Sequence, residues 1–167
     1  MFADSKLLVK NSNMEVMEMT VSELSNHKQK DSFFVFGMLY VSGGVAYDFI
    51  PYRQIKIRQN NGSGMYKFTY ETPSGVRKSI ICDKNTEVMA GGENFYSTGK
   101  PKDRQPWSSF TSIFNVDLTV YVIDICGEKC KMISLEKVDP SDEPTDLYLI
   151  KTKTKNVFAN GLLVKCR

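Results

Sequence analysis

Turn-forming residues recur along this chain at intervals too short for long helices. Asn11-Ser12-Asn13, Gly43-Gly44, Asn60 to Gly64, Pro73 to Gly75, Asp83 to Asn85, Gly127 and Asn160-Gly161 cut it into brief runs. Asn and Ser side chains bond to their own backbone, and Gly admits left-handed conformations, so each cluster is turn chemistry. The runs between them alternate polar and apolar residues or are dense in β-branched and aromatic side chains, which is the strand pattern. Strands are predicted at Lys6 to Val9, Glu15 to Met19, Phe33 to Tyr40, Gln54 to Arg58, Met65 to Glu71 and Arg77 to Cys82. Further strands follow at Leu118 to Ile123, Lys131 to Val138, Asp146 to Thr152 and Asn156 to Val164. Pro51 is expected to interrupt the chain before Gln54, because proline has no N–H for a ladder.

Within these runs the finer pattern is informative. Tyr66, Phe68 and Tyr70 recur at period two and share one strand face, with Lys67 and Thr69 on the other. Asn160-Gly161 is a type I′ hairpin signal. Thr20 with Glu23 forms a capping box before Val21 and Leu24, the single helical signal. The pattern predicts an all-β chain with at most one or two short helices, in a barrel-like or coiled architecture. The segment from Met89 to Trp107, with Gly91-Gly92, Gly99, Pro101 and Pro106, is expected to be an irregular loop or extension reaching to about residue 115.

The 167 residues fit one domain, 1–167. Hydrophobic residues make up 41% and charged residues 25%, enough to build a core and too apolar for disorder. A net charge of +3 announces no nucleic-acid partner. No apolar run approaches the length of a membrane span, and no h-region opens the chain, so neither a membrane nor secretion is expected. Cys82, Cys126, Cys130 and Cys166 are scattered and read as reduced thiols of a cytoplasmic protein.

Residues Asp146 to Cys166 read DLYLIKTKTKNVFANGLLVKC. This segment resembles the closing motif of Hint domains, the self-processing fold of hedgehog proteins and inteins. Phe158, Ala159, Asn160, Gly161 and Val164 match that motif as they stand. The pair of runs from Val120 to Val138, the opening from Phe2 to Leu24, and the strand and turn from Ile80 to Val88 resemble other parts of the same fold. The resemblance implies a Hint-like coiled β fold of short antiparallel strands.

It also implies positions for the family's chemistry, and here the chain departs from it. An N-terminal Cys or Ser nucleophile corresponds to Met1-Phe2, and a thioether is no nucleophile. The Thr-x-x-His site corresponds to Cys82-Asp83-Lys84-Asn85, and Asn85 is no general acid near neutral pH. The His of the His-Asn-Phe motif corresponds to Lys155, the penultimate His to Lys165, and the terminal Asn to Cys166. The reading is therefore a Hint-like module without the family's catalysis, acting in protein binding or as a structural part of an assembly. A virus or mobile element is the source such a degenerate fold suits.

Two alternatives stand beside it. One is a residual autoprocessing or thiol-dependent enzyme using Cys82 or Cys166, with Lys155 or Lys165 lowering the pKa of a nearby thiol. No histidine lies near these thiols in sequence, and His27 sits in a polar loop. The other is nucleic-acid binding through a basic 53–67 hairpin carrying Arg53, Lys56, Arg58, Tyr66 and Lys67. No phosphate loop or recognition helix accompanies that hairpin. Cys126 and Cys130 are the thiols closest to metal spacing, but three residues separate them and no second pair follows. Cross-strand neighbours closing a hairpin are the expected reading, with no metal and no cofactor. Phe95, Tyr96 and Trp107 are the aromatic candidates for partner contact.

Overall fold

Asn156 to Lys165 is apolar almost without interruption, and a short run of that kind is a strand buried on both faces. The computed structural model describes residues 1, 5–27, 33–42, 44–60, 64–91, 107–109, 120–139, 141 and 146–166, and it places this segment at the centre of the molecule. The chain enters as a hairpin, β1 (Lys6–Asn11) and β2 (Val16–Thr20). The Asn11 carboxamide closes it by accepting from the N–H groups of Asn13 and Glu15. One helical turn, α1 (Val21–Ser25), follows with the expected capping box: Thr20 Oγ1 accepts from Glu23 N, and the Glu23 carboxylate accepts from Thr20 N. Val21 and Leu24 are buried, as the spacing predicted.

The strands that follow are β3 (Phe33–Val41), β4 (Gly44–Gln59), β5 (Met65–Glu71), β6 (Arg77–Asp83) and β7 (Glu87–Gly91). The rest are β8 (Trp107–Ser109), β9 (Tyr121–Ile123), β10 (Lys129–Lys137), β11 (Asp146–Thr152), β12 (Asn156–Ala159) and β13 (Leu162–Lys165). Among the described residues they form one curled antiparallel sheet in the order β11-β4-β3-β1-β12-β13-β7-β9-β10-β5-β6, with β2 added to β1 and β8 to β7.

The central hairpin β12–β13 separates two apolar clusters. Val157, Ala159, Leu162 and Val164 point into the larger one, with Phe68, Tyr70 and Ile80. Phe158 and Leu163 point the other way, onto Met38, Met89 and Ile123. Period-two alternation thus serves two cores instead of one core and solvent. Asn160 and Gly161 turn the hairpin with φ of 49° and 78°, the left-handed pair that a type I′ turn requires.

Several expectations are corrected. Pro51 does not interrupt a strand. It lies inside β4 where the strand changes partner: Phe34 of β3 pairs with Pro51, and Thr152 of β11 pairs with Tyr52. A missing N–H is tolerated at such a junction. The 53–67 segment is not a hairpin, because β4 pairs with β3 and β11 while β5 pairs with β6 and β10. The apolar faces of these strands find longer-range partners, and the turn-rich composition of Asn60 to Gly64 does not bring the flanks together. Met89 to Gly91 belongs to β7, with Val88, Met89 and Ala90 buried, and is not loop. The turn marked by Gly127 spans Asp124 to Glu128, and Lys129 already pairs with Ile123. Most of the 89–115 extension, like Leu118, lies outside the described residues.

Asn156 ties the central hairpin to β3. Fully buried, its carboxamide accepts from Met38 N at 2.7 Å and donates to Met38 O at 3.0 Å. Replacing it with Ala orphans two buried backbone groups, so Asn156→Ala is expected to lower the unfolding free energy by about 2–4 kcal/mol in a urea titration. A loss below about 1 kcal/mol would mean that water replaces the amide and the tie is dispensable.

Candidate functional site

Two edge strands face each other across the end of the central hairpin. Among the described residues β11 pairs with β4 on one side and β6 pairs with β5 on one side. Between them opens a cavity of about 410 Å³ lined by Met1, Cys82, Asn85, Tyr148, Lys165 and Cys166, among others. Met1 enters it as a one-residue strand. Its nitrogen donates to Tyr148 O at 2.9 Å, and its carbonyl accepts from Tyr148 N at 2.8 Å. Burial pushes the Met1 amine below its ordinary pKa, opposed by the nearby Cys82 and Asp83.

The fold thus brings together residues from three parts of the sequence that the resemblance had pointed to: Met1, Cys82 with Asn85, and Lys165 with Cys166. Lys155 is the exception. It takes a left-handed φ of 60° and its side chain is exposed, and it meets the site only through its carbonyl, which accepts from Cys166 N at 2.8 Å.

The chemistry of the cavity is subdued. Burial is the main cause that pushes the Cys82 thiol up to about 12, against a hydrogen bond from Thr86 that lowers it. Burial likewise pushes Cys166 up to about 11, with Thr152 Oγ1 at 3.4 Å from its sulfur acting the other way. Neither is a thiolate near neutral pH, so neither is an activated nucleophile. Lys165 Nζ pairs with Glu87 at 3.0 Å, and Arg58 pairs with Asp83 at 3.3 Å, so both cations at the rim are matched. The residues that sequence reasoning missed are these partners: Tyr148, Thr152, Glu87 and Arg58. Their signal was strand register, which no local pattern carries. Arg58 and Asp83 end two strands that touch nowhere else in the ladder.

The second pair of thiols separates. Cys126 is exposed in the turn, whereas Cys130 is buried and faces Val122 across the ladder, so they are not cross-strand neighbours. The turn sets them apart: the buried Asp124 carboxylate accepts from Cys126 N and Glu128 N, and Gly127 takes φ of 75°. Burial and the nearby Asp124 push Cys130 up to about 12. Among the described residues no group of three or more metal-ligating side chains gathers. For the basic segment, Phe68 and Tyr70 are fully buried and Tyr66 is half-buried against the core, so these rings offer no stacking platform. Phe95 and Tyr96 lie outside the described residues. Trp107 is half-buried on the second cluster beside Tyr40, Tyr47 and Tyr121. Among the described residues no helix is long and apolar enough to cross a membrane.

No family model and no curated protein matches the chain. Solved structures do. An intein from a hyperthermophile aligns with a TM-score of 0.64 at 14% identity, over 99% of this chain and 97% of its own. The PabCDC21-1 intein aligns with a TM-score of 0.63 at 11% identity, over 99% and 97%. A DnaB intein from a Synechocystis species aligns with a TM-score of 0.60 at 10% identity, over 99% and 96%. The chain therefore has the all-β Hint fold seen in inteins. At these identities the likeness is one of fold, and it does not fix what the chain does.

The raised thiols give a pH signature. A group held neutral by the fold stabilises it fully below its ordinary value, here 9.0, and that contribution is lost as pH rises toward 11 and 12. The melting temperature should therefore fall steeply above pH 9 in the native chain. At pH 8, iodoacetamide should modify the exposed Cys126 first and leave Cys82, Cys130 and Cys166 largely intact by peptide mass mapping. Labelling of Cys82 or Cys166 as fast as Cys126 would show an activated thiol in the cavity.

Proposed function

We propose that this chain is a non-catalytic Hint-like module that serves by binding a protein partner or by taking part in an assembly. One observation carries the reading: among the described residues, the cavity that gathers Met1, the Cys82–Asn85 turn, Lys165 and Cys166 holds no activated thiol, and its carboxylates Asp83 and Glu87 are taken up in ion pairs. Met1 offers a thioether, Cys82 and Cys166 are protonated thiols, Asn85 is an amide and Lys165 is held by Glu87. An ordered framework with matched charges at its rim is suited to recognition. Trp107, Tyr40, Tyr47 and Tyr121 are partly exposed rings packed on the second core, the kind of side chain that dominates many interfaces.

The test is an intact-mass time course on the chain carrying its natural flanking residues, or a short neutral extension after Arg167 if it has none. It is run with and without a reducing thiol, beside Cys82→Ser and Cys166→Ser. The mass is expected to stay constant throughout. Loss of a flank that either substitution abolishes would overturn the reading and name the thiol that acts.

A further inference from the structure

A second cavity lies away from the first. It has a volume of about 540 Å³, within the range typical of ligand sites, and opens beside the Asn160-Gly161 turn. Its accessible apolar lining comes from the half-buried Leu8 and Ile125; Phe158 borders it but is buried, and Ser79 and Asn160 add polar atoms. Three charged side chains stand around it: Lys6, Glu18 and Lys78. Lys6 and Glu18 satisfy each other at 3.3 Å, both well exposed. Lys78 takes part in none of the ion pairs among the described residues.

Lys78 is aimed at this cavity by the sheet. It lies on the same face of β6 as the buried Ile80 and Cys82, directly opposite Tyr70. Its stem lies along the face of Gly161 that carries no side chain: a Cβ at Gly161 would be 3.8 Å from Lys78 Nζ and 3.9 Å from Lys78 Cδ. The same Cβ would come within 3.0 Å of the Tyr70 hydroxyl, so the left-handed glycine keeps this corner open. The carbonyl of Asn160 is already used by Tyr70 Oη at 2.7 Å, and that of Gly161 by Ile125 N at 2.9 Å. Among the described residues the Lys78 ammonium group, at the lip of this cavity, forms no ion pair with a carboxylate.

We propose that this cavity binds a carboxylate carried on an apolar body, with the carboxylate on Lys78 and the apolar part over the half-buried Leu8 and Ile125. One positive charge in excess sets the sign of the ligand, and the apolar floor excludes a bare, strongly hydrated anion. The site is separate from the Met1–Cys166 cavity and does not depend on whether that cavity is inert.

An amide-resolved NMR titration tests it. The probes are N-acetyl-phenylalanine, its carboxamide, and an acetylated Ala-Ala-Ala-Phe tetrapeptide with a free carboxylate. Saturable shifts at the amides of Ser79, Gly161 and Ile125 are expected with both acids and not with the carboxamide. Lys78→Met, which keeps the apolar stem, should weaken acid binding at least about five-fold, while the surface control Lys137→Met should not. Tighter binding of the tetrapeptide would identify the terminus of a polypeptide as the source, and equal binding a free small acid. Equal shifts from acid and carboxamide, absence of saturable shifts, or unchanged binding by Lys78→Met would each overturn the proposal.

Discussion

The β12–β13 hairpin is the constraint on which the other strands depend. It is buried on both faces, so its six apolar side chains from Val157 to Val164 divide between two cores. A shift of one residue in its register would exchange the two sets and strand both clusters. Two asparagines fix the register. Asn156 binds both backbone groups of Met38, and Asn160 accepts from Lys6 N at 2.7 Å while its own N–H donates to Lys6 O at 2.8 Å. Gly161, bonded to Ile125, and Tyr70, bonded to the Asn160 carbonyl, tie the same turn to the opposite half of the sheet. The part of the chain that most resembles a self-processing domain thus does structural work.

This division separates the residues that hold the fold from those at the positions where the resemblance places its chemistry. The matching residues Phe158, Ala159, Asn160, Gly161 and Val164 are packing and turn residues, and each has a burial or hydrogen-bonding reason to stay as it is. Of the departing residues, Asn85, Lys155 and Lys165 lie outside the two cores, Met1 and Cys166 pack against the larger one, and Cys82 belongs to it; all but Lys155 line the cavity.

Much of the fold was legible where the physics is local. The capping box at Thr20, the type I′ turn at Asn160-Gly161 and the period-two face of Phe68 and Tyr70 all rest on neighbours within a few residues. Pairing was legible only where a tight turn enforces it, as in β5–β6 and β12–β13. The apparent 53–67 hairpin failed because β4 changes partner at Pro51 and takes β11, nearly a hundred residues away, by register that no short pattern encodes. The site followed the same rule. Its members could be named from the resemblance, but the fate of each thiol depended on burial and on Thr86 and Thr152, which arrive from the tertiary fold. The separation of Cys126 from Cys130 likewise depends on the buried Asp124, a residue whose role is invisible in the spacing of the cysteines.

Native-state hydrogen exchange tests the central role of the hairpin most directly. If the two asparagines hold the sheet together, the amides of Lys6 and Met38, which donate to Asn160 and Asn156, exchange only by global unfolding. Their rates should match those of the slowest amides in β5 and β10 and respond to urea with the full unfolding slope. Exchange of Lys6 and Met38 by local opening, while β5 and β10 stay protected, would show that the hairpin is an appendage and contradict the account.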